Sequence, residues 1–101
     1  MESLPVVFRP EAAKDIENIF TYIFEQTNNF DIAQNFTKRL YDRCIKIGII
    51  PNGGANRDDL GENIQLIPFE KRAVILYKTE NNEVIIVSIF YGGRDYDALM
   101  K

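Results

Sequence analysis

RAVILYKTENNEVIIVSIFYGGRD, residues 72–95, holds the densest run of β-forming side chains in the chain. Val74–Tyr77 and Val84–Tyr91 are rich in Val, Ile, Phe and Tyr, which pack well on a pleated surface. Between them Glu80-Asn81-Asn82-Glu83 supplies turn chemistry, because Asn tolerates the positive φ that a tight hairpin turn needs. The pattern predicts an antiparallel hairpin. Strict alternation in its second arm puts Val84, Ile86 and Phe90 on one face and Ile85, Val87, Ile89 and Tyr91 on the other. Both faces are then apolar, and the strand is expected to be central. It runs into Gly92-Gly93, where the backbone is freed from Cβ restrictions, and presents Arg94 and Asp95 at the end of the sheet.

The amino half reads as one strand and two helices. Leu4–Phe8 alternates weakly, and Pro10 disfavours helical backbone at Arg9, so a short strand should stop there. Proline suits a first helical turn. Ala12, Ile16, Ile19, Phe20 and Ile23 recur at helical spacing, with Glu11, Asp15 and Glu17 near the end where the dipole favours negative charge, so a first helix should run to about Gln26. Asn28 and Asn29 break it. Asp31 with Gln34 predicts a capping box for a second helix, whose stripe is Ala33, Phe36, Leu40, Cys44 and Ile47 and whose stop is Gly48. The two helices are joined closely enough to lie antiparallel.

PNGGANRDDLGEN, residues 51–63, has the composition of a surface loop, with Leu60 as its anchor. Ile64–Ile67 reads as a short strand ended by Pro68. The order β-α-α-β-β-β predicts an α+β fold, a helical hairpin packed on one face of a small, mainly antiparallel sheet. The apolar side chains on the other face then have no element to cover them. The favoured reading is that the bare face meets a partner; the alternative is that sheet curvature and the 51–63 loop bury it.

The 101 residues form one expected domain, 1–101. No apolar run approaches the ~20 residues of a membrane span, and the first residues lack a signal-peptide pattern, so a cytoplasmic protein is expected. A single cysteine rules out an internal disulfide. The absence of histidine removes the commonest general base and neutral metal ligand, and no cofactor or metal is expected. A net charge of −3 argues against broad attraction to phosphates, and no sequence-specific nucleic-acid binding is expected.

Lys38, Arg39, Arg43 and Lys46 make a basic helix face, but Asp42 lies four residues from Lys38 and Lys46 and suits a solvated, paired surface. Asp58, Asp59 and Glu62 lack the alternating ligand spacing of a calcium loop and read as a turn. Cys44, on the apolar stripe, reads as a small buried hydrophobe. Arg94 follows two glycines, with its planar fork available for a carboxylate or phosphate and with Arg57 in a loop able to converge on it. The alternative is a structural ion pair with Asp95 or Asp97, or a cap on the first helix.

NRDDLGENIQLIPF, then RAVILY, NNEVIIVSIF and the closing YGGRD, in this order and spacing, resembles the carboxyl half of ParE toxins of the RelE/ParE superfamily of bacterial toxin–antitoxin modules. VVFRPEAAKDIENIFTYI is similar to their amino half, so the resemblance covers nearly the whole chain. It implies the RelE/ParE-like fold and a plasmid-stabilising growth inhibitor that targets DNA gyrase without catalysis and is neutralised by a ParD-like antitoxin, with higher-order toxin–antitoxin oligomers a further option. Residues carried over by position are Arg57 and Leu60 of the loop, Tyr77, and Arg94 with Asp95; Tyr91 and Tyr96 flank that ending and join the candidates for target or antitoxin contact. Three positions depart from the family pattern: Gln65 where a basic residue is common, Tyr91 where histidine is, and Gly93 where alanine precedes the arginine.

The alternative within the superfamily is a RelE-like, ribosome-dependent mRNA endoribonuclease, and a third reading is a non-toxic interaction domain. RNA cleavage needs an activated 2′-hydroxyl and several cations around a developing phosphorane. This chain lacks histidine, has Pro68-Phe69 where such an enzyme places a basic residue, and has Met100 or Lys101 where a tyrosine acts; only Arg94 keeps an RNase-like position. The gyrase inhibitor is therefore the favoured reading.

Overall fold

The computed structural model describes residues 3–92. Strand β1 (Val6–Phe8) leads into α1 (Pro10–Thr27) and α2 (Phe30–Lys46); β2 (Ala55–Asn56), a 3-10 turn (Asp58–Leu60), β3 (Gln65–Phe69), β4 (Ala73–Glu80) and β5 (Glu83–Tyr91) follow. The five strands form one sheet in the order β1-β5-β4-β3-β2, antiparallel except where β1 lies parallel to β5. This is the expected α+β architecture, two helices on a mixed sheet with β5 inside it. One element was not anticipated, the two-residue β2 within the predicted loop.

Local chemistry sets the joints. Pro10 occupies the start of α1 behind an extended Arg9, and Asn28 closes the helix in the left-handed region, its N–H reaching Phe24 O at 2.7 Å. The cap of α2 differs from the expected Asp31–Gln34 box. Asn29 is the N-cap, with extended backbone and its Oδ1 accepting from Ile32 N–H at 3.1 Å. Asp31 falls inside the first turn, where its charge still suits the dipole. Asn81 and Asn82 take φ of 54° and 60° and join β4 to β5 in the expected tight turn. Pro68 does not end β3 but sits within it opposite Val74, because β2 covers only Gln65 and Leu66 and leaves the outer edge at Pro68 without a ladder to break.

The predicted stripes meet the sheet. Ala12, Ile19 and Ile23 of α1 and Ala33, Phe36, Leu40 and Cys44 of α2 are buried with Ile47, Ile67, Ile75, Tyr77, Val84, Ile86 and Ile89, and Ile16 and Phe20 pack on this cluster half-buried. Strict alternation in β5 fails at one place. Tyr77 pairs with Ile86 but Leu76 with Ser88, so Val87 is an extra residue with no partner across the ladder. Such a bulge shifts the side-chain phase by one. Ile89 and Tyr91 therefore join Val84 and Ile86 on the helix side, and Phe90 joins Val87 on the other, reversing the expected placement of all three.

That other face is not bare. Leu60 and Ile64, carried over it by the segment after β2, are buried against Leu76 and Val87, with Leu66, Val74 and Phe90 half-buried around them. This corrects the favoured reading of an open, partner-binding face: the segment carrying Leu60 and Ile64 buries it. Gly48 is needed for close approach: a Cβ there would run into the Leu4 carbonyl oxygen, and Leu4 N–H donates to Gly48 O at 2.9 Å, tying the segment before β1 to the end of α2.

Leu40 is fully buried between the helices and the sheet. Leu40→Ala should lower unfolding free energy by about 2–5 kcal/mol, whereas Ile50→Ala, at an exposed site, should change it by less than about 0.5 kcal/mol. Urea denaturation measures both; equal effects would refute this placement of the core.

Candidate functional site

The structure scatters the residues singled out in the sequence. Arg57 gives Nε and Nη2 to the two carboxylate oxygens of Asp59, both at 2.9 Å, so its fork is occupied within its own loop. Leu60 is only 6% exposed and serves the core beneath the loop rather than the surface. Tyr77 is fully buried. Its hydroxyl donates to Pro51 O at 2.9 Å and accepts from Gly54 N–H at 3.0 Å, which pins the chain leaving α2 to the middle of the sheet. Burial raises the Tyr77 pKa, against a smaller lowering by the Gly54 N–H and the Arg43 charge. Arg94, Asp95 and Tyr96 lie outside the described residues, as does Gly93.

The expected convergence of Arg57 on Arg94 falls outside the described residues, but the ladder fixes where the Arg57 loop lies relative to the last described residues of β5. Gln65, beside the loop, pairs with Tyr77, whereas Tyr91 pairs with Ala73. Four residues of β4 separate those positions, about 13 Å at a strand rise of about 3.3 Å per residue. The loop and the last described turn of β5 thus sit at opposite ends of the sheet.

Tyr91, also singled out in the sequence, lines a surface cleft. Its ring packs edge-on against Tyr22 of α1 and Phe36 of α2, with centroids 5.6 and 5.5 Å away, and Phe36 meets Phe69 at 5.6 Å. One cleft of about 310 Å³ beside this row is lined by Asp15, Asn18, Ile19, Tyr22, Ile89, Tyr91 and Gly92. Asp15, read in the sequence only as a dipole partner, also ties α1 to the sheet. Its Oδ2 accepts from Ser88 Oγ–H and Ile89 N–H, both at 2.9 Å, just past the bulge and the end of β1. Its position three residues after Ala12 and four before Ile19 was the available signal that it borders the buried face.

On the other side of Phe36 a second cleft, about 460 Å³, is lined by Ile23, Ile32, Asn35, Phe36, Arg39, Glu70 and Arg72. Arg39 lies 5.6 Å over the Phe36 ring and clamps Glu70 through Nε at 2.8 Å and Nη2 at 3.0 Å. The hydrogen bond from Arg39 holds the Glu70 pKa down. So exposed a pair adds little to global stability. Its use is positional, because Glu70 and Lys71 carry φ of 51° and 58° in the β3–β4 turn without being Gly or Asn. Large apolar side chains stay exposed around this corner: Phe30 (53%) and Ile32 (49%) on α2, Tyr22 (50%) and Phe24 (40%) on α1.

The reactive inventory is thin among the described residues. Cys44 is fully buried and its thiol is pushed up to about 12 by desolvation, slightly opposed by Arg43, so it is no thiolate at neutral pH. No group of three or more Cys, Asp or Glu is placed to hold a metal among those residues. An apolar corner with an arginine-bearing rim is equipped for binding a polypeptide.

The model of a family described as the ParE toxin of type II toxin–antitoxin systems, parDE, matches residues 6–96. No curated protein matches the sequence significantly. In structure the chain is similar to one from the chromosomal ParDE TA system of P. aeruginosa, with a TM-score of 0.75 over 89% of this chain and 97% of that one at 14% identity, which speaks for the fold alone.

Tyr77→Phe leaves the Gly54 N–H and Pro51 carbonyl unpaired and should lower stability by about 1–3 kcal/mol, with faster hydrogen exchange at Gly54; unchanged exchange would refute the anchor. Stability should also fall as pH rises. Both Cys44 and Tyr77 have folded pKa values above their ordinary 9.0 and 10.0, so the unfolded chain loses these protons first. The Cys44 contribution is complete below pH 9.0 and is lost as pH climbs to about 12, and Cys44→Ala should flatten that part of the profile.

Proposed function

The chain belongs to the ParE toxin family of type II toxin–antitoxin systems, and from that membership we propose that it arrests growth as a non-enzymatic inhibitor of DNA gyrase, held inactive in the cytoplasm by a ParD-like antitoxin. The observation that carries this reading is the family match over residues 6–96, joined to a fold that agrees with it. Inhibition by binding asks only for a surface, whereas RNA cleavage asks for acid, base and cations around a phosphorane. The absence of histidine from the sequence and the inert state of Cys44 support the binding reading.

For the antitoxin we place the contact at the α1–α2 corner rather than on the sheet face that Leu60 and Ile64 cover. An amphipathic tail would lay apolar side chains over Phe30, Ile32 and Phe36 and bring a carboxylate to Arg39 or Arg72 at the cleft rim. Burial supplies most of the affinity and the charges fix register.

Titration with the antitoxin by calorimetry should show a heat-capacity decrease and only mild salt dependence, and Ile32→Asp should weaken binding about tenfold or more. A steep loss of affinity in salt, or Ile32→Asp binding as wild type, would place the interface elsewhere. The purified toxin should block gyrase supercoiling and leave mRNA intact on programmed ribosomes. Cleavage products that vanish with Arg94→Ala would instead make it a ribonuclease.

A further inference from the structure

The sheet has two edges, and they are finished differently. On one side β2 covers Gln65 and Leu66, and Pro68 has no N–H to offer beyond them. On the other side β1 is the outermost strand. Its bonds to β5 fix which way each residue points: Val84 N–H donates to Pro5 O at 2.9 Å and Arg9 N–H to Ile86 O at 3.0 Å, in a parallel register that sets Val6 beside Val84. Pro5, Val7 and Arg9 therefore turn their backbone groups toward β5, whereas Val6 and Phe8 each turn an N–H and a C=O outward to solvent. The outward row stops there. The next residues of the same phase are Leu4, whose N–H is taken by Gly48 O, and Pro10, which has no N–H.

Apolar surface lies on both sides of this edge. On the helix side the Tyr41 ring stacks on Phe8 with centroids 5.4 Å apart, and Gly48 O holds Leu4, so the last turns of α2 run back alongside β1 from Tyr41 to Gly48. Tyr41 and Ile45, one turn apart on that stretch, are 48% and 40% exposed. Val7 points to the opposite side of the sheet, since Val6 and Phe8 pack with the helices, and is 41% exposed. That side also carries charge. Arg9 and Glu83 share the face of Val7, and neither belongs to a salt bridge among the described residues.

We propose that this edge joins a second copy of the chain, β1 against β1 in antiparallel fashion about a two-fold axis at Val7, so that one sheet runs through both copies. Under that symmetry Val6 lies opposite Phe8 of the second copy and Phe8 opposite its Val6, and every outward N–H meets an outward C=O. Val7 meets its own equivalent at a non-hydrogen-bonded position, with Cα atoms roughly 4.5 Å apart, where side chains pack closest. Arg9 comes opposite Pro5 of the second copy, beside which Glu83 of that copy lies in the next strand, so opposite charges face each other on both sides of the axis. A partner of unrelated sequence has no need of these matches; a second copy makes all of them at once. Because Leu4 and Pro10 leave nothing to extend the ladder, the pairing closes at two chains and does not propagate into a fibre. The corner of Phe30 and Ile32 lies at the other end of α2 and stays free.

Sedimentation and backbone amide exchange of the purified chain, followed by NMR over about a hundredfold range of concentration, test this pairing. Val7 N–H, bonded to β5, should be protected throughout, whereas protection of Val6 and Phe8 N–H should rise in step with the dimer fraction. Val7→Lys, which sets like charges on the axis, and Arg9→Glu, which meets Glu83 with its own sign, should each weaken dimerisation about tenfold or more, and Arg9→Glu combined with Glu83→Arg should restore it. Amide exchange on the unsubstituted chain keeps the test open should a variant fail to fold. A chain that stays monomeric, a dimer in which Val6 and Phe8 remain unprotected or Arg9→Glu has no effect, or assemblies larger than two chains would each overturn the proposal. Protection that appears only when the antitoxin is added would overturn it too, and would give the edge to an extended segment of that protein.

Discussion

One extra residue in β5 decides which side chains the helices meet. With Val87 unpaired opposite the Leu76–Tyr77 step, Ile89 and Tyr91 turn toward α1 and α2. Without the bulge they would face the 57–64 segment, and Phe36 would lose the ring that joins it to Tyr22. Asp15 stands where the bulge leaves the ladder irregular, taking the Ile89 N–H that β1 is too short to reach. The core stripe of α1, the kink of β5 and the aromatic row at the surface are thus one arrangement.

Much of this fold was legible because its signals are periodic or chemical. The helical stripes from Ala12 to Ile23 and Ala33 to Ile47, the Asn81-Asn82 turn and the break at Asn28 all behave as their residue types require. The bulge was not legible. Val and Ile occupy both faces of β5, and the polar residue beside the slip, Ser88, is small enough to suit either face, so alternation read through such a run carries its error to the end. The covering of the second face was half visible: Leu60 stood out as an anchor, but Ile64 looked like the start of a strand and is instead the second plug.

The site followed a different rule. Arg57, singled out for its charge, and Tyr77, carried over from the resemblance, turn out to hold the 51–59 segment in place. The surface proposed for the antitoxin is marked by exposed Phe30 and Ile32. A hydrophobe one position off a buried stripe looks like ordinary surface in a sequence. It becomes visible only when Arg39, reaching from α2 to Glu70, shows which turn lies beside it.

The parallel seam between β1 and β5 also bears on how the chain is made. Val6 pairs with Val84, so the first strand waits for almost the last one before it has any backbone partner. Such distant pairing raises contact order and slows folding, and through most of synthesis the helical hairpin has no sheet to cover its stripes. A nascent chain in that condition exposes apolar surface. The surface is therefore completed only when the last strand is in place.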